Sequence, residues 1–294
     1  MYGLLRILFF LVSKLPFAFF YALSDLVFVL LYYVIKYRRS LVDQNLQIAF
    51  PDKTANERRA IARSFYRNFT DTFAESIKLL SLSPKKVADY CEVDISSIQE
   101  LAAEGKSIQL MVAHQFNWEY LHLVLPTLLK IPTYFLYRPI ETPALEKIYF
   151  QFRSKGGGIP VSADEFAAQR SAIFLKPVVL VLGADQNPGR VDKALWVPFF
   201  NRPAPFFMGP AKGAIQQSTA VAMLQLKRKQ RGYYQLTGKV ITENATNYSP
   251  EQLTFLYKNE VERVIQEDPS NYLWSHRRWR HSWQPEYRPI YDPA

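Results

Sequence analysis

Apolar positions are spread unevenly along the chain. The densest stretch runs from residue 3 to residue 35 and is broken early by Arg6 and Lys14. From Leu15 to Ile35 it carries a single charge, Asp25. A bilayer span needs about 20 mostly apolar residues, so this segment fits a membrane helix. It fits a cleaved signal peptide poorly, because the apolar run is too long and no A-x-A site follows. Two other placements satisfy the same pattern: a buried first helix of a globular domain, or a helix lying in the membrane interface with Ser24 and Asp25 on its polar side. The run ends in Lys36, Arg38 and Arg39, and the positive-inside rule then puts the remaining residues on the cytoplasmic side. We therefore divide the chain into a membrane anchor over residues 1–38 and one globular domain over residues 39–294.

Beyond the anchor the pattern changes twice. Thr54-x-x-Glu57 reads as a capping box. Ile61, Phe65, Phe69, Phe73 and Ile77 follow at every fourth position, an apolar stripe of one helix. Ser97-x-x-Glu100 predicts another helix start, with Gly105 at its end. From Ile108 short buried runs replace the stripes. Ile108–Ala113, Pro132–Tyr137 and Pro177–Gly183 predict buried strands, and Ala220–Leu226 and Tyr233–Val240 predict two more around a turn at Arg231-Gly232. Between them lie helical patterns over Asn117–Leu129, Pro143–Phe152 and Ala163–Leu175. Gly156-Gly157-Gly158 predicts a loop, and Ser249-Pro250 opens a last helix ending near Glu267. Alternating strands and helices predict an α/β fold: one domain with a central, largely parallel sheet flanked by helices.

Composition narrows the chemistry. The chain of 294 residues holds one cysteine, Cys91, and four histidines, which excludes an intrachain disulfide and any multi-cysteine metal site. No histidine pair has ligand spacing, so we expect neither a metal nor a cofactor. Aromatic residues reach 15%, enough to fill a core and still face an apolar ligand or lipid. The net charge of +10 favours nucleic acid, an anionic membrane or an acidic partner.

His114 stands where a predicted strand meets a predicted helix, and ligands of open α/β sheets bind at the carboxyl ends of strands. Glu119 follows five residues later. Within one helix the two side chains would point about 140° apart, so they meet only if His114 sits on the preceding turn. A carboxylate on one imidazole nitrogen fixes the tautomer and makes the other a better base, able to take a proton from a hydroxyl. The spacing alone is common by chance; its place after a buried strand is what singles it out. His122 reads as a packing residue, and His276 and His281 as parts of a basic, aromatic surface segment. No Gly-x-Ser-x-Gly elbow, Walker or dinucleotide glycine pattern is present, and Cys91 has no histidine near it in sequence. Direct attack by an activated substrate hydroxyl is therefore expected rather than a covalent acyl-enzyme. Arg138, Arg153, Lys155 and Asp185 follow other predicted elements and would gather at the same edge of a parallel sheet, where an arginine fork suits phosphate.

Several short motifs occur together in one order: Asn45-Leu46 through Phe50-Pro51, His114 through Asn117-Trp118-Glu119, Tyr137-Arg138-Pro139, Asp185-Gln186, Val197-Pro198-Phe199-Phe200 and Tyr272-Leu273-Trp274-x-His276-Arg277-Arg278-Trp279. In this the chain resembles the lipid A biosynthesis acyltransferases of the bacterial inner membrane, from about residue 4 to residue 283. The resemblance implies a fold like that of the glycerolphosphate acyltransferases. It implies transfer of an acyl chain from acyl carrier protein to a hydroxyl of a phosphorylated glycolipid, a lipid A precursor. His114 would be the base and Glu119 its orienting carboxylate, with Arg138, Arg153, Asp185 and Asn117 around the substrate. Phe116 stands where many relatives have glycine, which would narrow the acceptor side. Phe199, Phe200, Phe206 and Phe207 are candidates for an acyl pocket, or for the core.

Other readings make different use of the same residues. The chemistry would be unchanged on a lysophospholipid, an aminolipid or another glycolipid. Lys227–Arg231 and residues 276–281, basic with aromatics interleaved, would suit a nucleic-acid strand, but the apolar N-terminus speaks against that partner. A catalytically silent membrane scaffold would not need His114 and Glu119.

Overall fold

A computed structural model of the chain describes residues 2–293; Met1 and Ala294, the outermost positions of the two expected segments, lie outside the described residues. The N-terminal part is helical: α1 (Tyr2–Ser13), α2 (Phe17–Val29), α3 (Arg39–Ala49) and α4 (Ala55–Leu79). The expected apolar helix within Leu15–Ile35 forms over Phe17–Val34, and α1 is a separate helix before it. Pro16 sits at the N-cap of α2, where its missing N–H costs nothing. One π-helical turn, Leu30–Val34, extends α2. Positive φ at Lys36 and Arg38 then turns the chain.

Thr54 and Glu57 form the expected capping box of α4. The every-fourth-residue stripe does not stay on one face, because each step of four residues advances about 40° beyond a full turn. Phe65 is buried, whereas Phe73, two steps on, is 54% exposed.

After α5 (Pro84–Ala88) come β1 (Cys91–Asp94), α6 (Ser96–Ala103), β2 (Ile108–Val112), α7 (Glu119–Leu129), β3 (Thr133–Tyr137), α8 (Pro143–Ser154), β4 (Ile159–Ser162), α9 (Ala163–Ile173) and β5 (Val179–Gly183). A hairpin, β6 (Leu195–Phe199) and β7 (Arg202–Phe206), precedes α10 (Gly209–Gln216), β8 (Ala220–Gln230), β9 (Tyr233–Thr242) and α11 (Pro250–Glu267). Seven strands make one sheet in the order β1-β9-β8-β2-β5-β3-β4. Its pairs are parallel except β8 with β9. Gly232, at φ +79°, supplies the left-handed turn of that hairpin.

Both faces of the sheet are covered, which is why its central strands read as near-continuous apolar runs. Val179 and Val181 enter a core with Ile98 of α6 and Leu123 of α7. The alternate residues, Leu180 and Leu182, enter a second core with Leu46 of α3, Phe65 of α4 and Val261 of α11. This period of two carries the fold's main burial energy, about 1.5–3 kcal/mol for each fully buried large side chain.

Candidate active site

The sheet builds the site by register. Parallel pairing of β2 with β5 matches Val112 to Gly183. Two residues further along each strand stand His114 and Asp185, so equal offsets from one paired position bring them together. His114 Nδ1 lies 2.7 Å from Asp185 Oδ1, and the His114 backbone N–H donates to Oδ2 at 3.1 Å. Asp185 is fully buried, while the imidazole keeps 30% of its side-chain surface exposed. A carboxylate on Nδ1 makes that nitrogen the donor and leaves Nε2 to accept a proton. Burial is the largest single influence on His114 and disfavours its charged form. The charge and hydrogen bond of Asp185 together outweigh it and raise the imidazole above its ordinary value. Burial likewise works against ionised Asp185, yet His114 holds that carboxyl below the usual range. Gly183 leaves room for the ring: a Cβ there would stand 3.3 Å from His114 Cε1.

The turn that carries His114 is fixed from the far end of the chain. The Leu273 N–H donates to the His114 carbonyl, and the Phe116 N–H to the Asn271 carbonyl. Gln115 forms a bridge with Tyr272 and accepts from the Leu226 N–H. The loop after Asp185 is held similarly. The Asn187 N–H donates to His276 Nε2, its side-chain amide donates to the Arg277 carbonyl, and Arg278 donates to its Oδ1. Asn45 donates to the carbonyls of Trp274 and His276. The motifs at 45–51 and 272–279 thus brace the site from behind. His276 and Arg278 are not the solvated surface expected from their basic neighbourhood: Arg278 is buried against Phe199 and Phe206, and burial lowers the His276 imidazole to about 4.

The expected pairing of Glu119 with His114 gives way to another. Glu119 is bonded by Arg153, at 2.7 Å from Nη2 and 3.3 Å from Nε, and by the Trp118 indole N–H at 3.2 Å. The reason is geometric. Glu119 opens α7 and faces α8, which carries Arg153, while strand pairing has already put Asp185 against His114. Burial raises the Glu119 carboxyl, but Arg153, together with His122 and the Trp118 N–H, outweighs it and keeps the group below its usual range. His122 lies 3.8 Å from Glu119 and packs on the Phe135 ring. Burial drives its imidazole down to about 4, so it stays neutral near pH 7.

A cleft of about 530 Å³ opens beside this cluster, lined by His114, Trp118, His122, Arg138, Arg153 and Gln186 among polar and aromatic groups. Val112, Leu121, Phe135, Val181 and Phe207 supply an apolar wall. Of the four phenylalanines proposed for such a wall, Phe207 alone lines the cleft; Phe199 and Phe206 are core, and Phe200 packs on Phe50 and Trp279. Arg138 stands exposed at the rim. Asn117 turns inward, donating to Glu75 and the Thr72 carbonyl and accepting from the Glu119 N–H, and does not face the cleft. Phe116 also turns inward, against Phe65 and Phe69, so it does not narrow the acceptor side. Lys155 is taken up by the carbonyls of Leu80 and Leu82. The basic run 227–231 is largely spent as well: Arg228 and Arg231 both pair with Asp71.

An α/β sheet with an oriented imidazole at its carboxyl edge, open to a partly apolar cleft, has the make-up of an enzyme acting on a substrate with an apolar portion. Comparison with known proteins gives the class. The chain matches the bacterial lipid A biosynthesis acyltransferases over residues 2–281. It is 22% identical over 251 residues to the lipid A biosynthesis palmitoleoyltransferase of Escherichia coli strain K12, covering 84% of this chain and 80% of that one. It is 23% identical over 243 residues to a lipid A biosynthesis acyltransferase of Haemophilus influenzae, covering 81% of this chain and 74% of the relative. The chain belongs to the lipid A biosynthesis acyltransferase family and is an acyltransferase. Membership supports acyl transfer to an acceptor of the lipid A type.

Proposed function

We propose that the protein transfers a fatty acyl chain from an acyl carrier protein thioester to a hydroxyl of a phosphorylated lipid A precursor. It would do so at the cytoplasmic face of the bacterial inner membrane, with residues 1–38 as the anchor and residues 39–294 as the acyltransferase domain. The observation that carries this reading is His114, oriented through Nδ1 by buried Asp185 and open to the cleft.

His114 Nε2 takes the proton of the acceptor hydroxyl as its oxygen attacks the thioester carbonyl. The tetrahedral intermediate collapses with cleavage of the C–S bond. The thiolate leaves with little acid assistance, since its thiol pKa lies near 8.5, and the imidazolium returns the proton to it or to water. Asp185 acts through the imidazole as a positioning residue. Cys91 is a poor rival nucleophile: burial pushes its thiol up to about 12. The apolar wall of the cleft suits the acyl chain, and the exposed fork of Arg138 suits an acceptor phosphate. Glu119 and Arg153 neutralise each other and shape the floor between α7 and α8. An acidic carrier protein and an anionic lipid both favour a chain of net charge +10.

Mass spectrometry of lipids from cells with and without the gene tests this directly. Loss of one acyl chain from lipid A on deletion is expected. Unchanged lipid A, with an acyl chain missing from another lipid, would overturn the choice of acceptor.

A further inference from the structure

The apolar N-terminus is long enough to cross a bilayer: the window Phe17–Val34 has a mean hydropathy of 1.9. Its packing points elsewhere. We infer that α1 and α2 lie in the plane of one leaflet of an anionic phospholipid membrane, as a monotopic docking face. The inference rests on the membrane location proposed above, not on the acyl-transfer chemistry.

One stripe of α2 is committed to the protein. Phe20, Ser24 and Phe28, with Tyr32 on the π-helical turn, recur at every fourth position and are all buried. The stripe contains polar ties at mid-helix. Ser24 Oγ donates to Asp71 of α4 at 2.6 Å, and the Tyr21 hydroxyl donates to Glu75 of α4 at 3.2 Å. Arg231, on the β8–β9 turn, bridges Asp25 of α2 and Asp71, each at 2.7 Å. The ties continue to α1, where Lys78 and Ser81 both donate to the Ser13 carbonyl. Both helices are thus bound to α4, whose own sequence holds Arg58, Arg59, Arg63, Arg67, Asp71 and Glu75. To span the membrane, α2 would have to break these ties or carry Asp25, Arg231, Asp71 and Glu75 to the depth of the hydrocarbon. Ionised groups are rare and costly there.

Among the described residues, the opposite face is open. Ile7 and Leu11 of α1, and Phe19, Leu23, Leu26 and Val34 along α2 and its extension, are between 46% and 67% exposed. Exposed apolar residues in this number mark an interaction surface. Charge selects the occupant. Lys14, between the two helices, and Lys36, at the far end, are exposed at its margins, and Arg67 sits over the Phe28 ring at 5.0 Å. An apolar face edged by cations matches acyl chains below anionic headgroups.

Depth measurement decides between lying and spanning. In a Cys91→Ala background of the full-length protein, Leu8→Cys, Phe19→Cys, Leu26→Cys and Val34→Cys are spin-labelled one at a time. Each is bound to vesicles of phosphatidylcholine and phosphatidylglycerol, and oxygen and nickel-chelate accessibilities give the depth. The expected result is one shallow depth for all four labels, about 5–10 Å below the headgroups. Binding should also fall steeply when phosphatidylglycerol is omitted. A depth that rises and falls along α2, with Phe19 and Val34 near opposite headgroup layers, would overturn the inference, as would failure of the folded protein to bind vesicles. Circular dichroism identifies any labelled variant that misfolds, and a second exposed position, Leu23→Cys or Leu11→Cys, then replaces it. Acyl transfer by the labelled proteins to detergent-dispersed acceptor is read separately. Its absence in the unlabelled parent would count against the acyl-transfer reading and leave the depth result standing.

Discussion

As the proposed base, His114 would act only while its ring is neutral, so its acidity would set the pH range of the reaction. Burial alone would lower its pKa; the charge and hydrogen bond of Asp185 outweigh burial and raise it above 6.5. Below the raised value the ring holds its proton and cannot accept another. We predict that kcat/KM rises with pH through an inflection above 6.5 and then levels off. Asp185→Asn removes the charge and leaves at most a neutral hydrogen bond against burial, so the inflection should move to lower pH. The plateau should drop by up to roughly 10²–10⁴-fold, the span of general-base assistance. An inflection that stays in place in Asp185→Asn would assign the titration to another group. Arg138 offers a second test at this scale. Arg138→Ala should raise KM for a phosphorylated acceptor about tenfold, an effect of about 1.4 kcal/mol, and change it little for a dephosphorylated one. Arg138→Lys should recover only part, since the ammonium lacks the planar fork. Equal KM values for all three proteins would place Arg138 outside acceptor binding.

At the scale of elements, α7 and α8 are clamped by Glu119 and Arg153, whose side chains are 4% and 12% exposed. Glu119→Ala would leave a nearly buried guanidinium without its carboxylate, a loss of about 3–5 kcal/mol. Urea denaturation should show it, and adding Arg153→Ala should cost less than the two single effects summed. A loss below about 1 kcal/mol in Glu119→Ala would mean that the pair does not clamp the helices. The same elements explain what the sequence could and could not tell. The central strands were legible because burial on both faces writes a short, mostly apolar run, as in Ile108–Val112, where Gln109 is the one polar residue, and Val179–Leu182. Three pieces of strand were not: Cys91–Asp94 has the mixed polarity of a sheet edge, Ile159–Ser162 is four residues after a glycine run, and the β6–β7 hairpin holds three prolines. His114 and Asp185 were both legible as residues at strand ends. Their partnership was not, because it depends on β5 lying beside β2, a strand order that no local pattern records. Nearness in sequence favoured Glu119, five residues from His114; strand register favours Asp185, 71 residues away. The inward turns of Phe116 and Asn117 were hidden for the same reason, since direction depends on the neighbours that α4 provides.

For the whole molecule, two halves of the chain converge on one site. The N-terminal helices brace the tail at 272–279 through Asn45 and carry the exposed apolar face, while the sheet sets the base and the cleft. A lipid acceptor could thus be met by a protein already resting in its leaflet. The central claim is that His114 removes the acceptor's proton, and a rate comparison tests it most directly. Purified full-length protein and His114→Ala are assayed with an acyl carrier protein thioester and a lipid A precursor in mixed micelles, after circular dichroism and vesicle binding confirm that the variant folds and docks normally. Acyl transfer by His114→Ala should be slower by roughly 10²–10⁴-fold, and Asp185→Ala added to it should lower the rate little further, because the two residues act as one unit. Transfer by folded His114→Ala at the wild-type rate would contradict the assignment of His114 as the base.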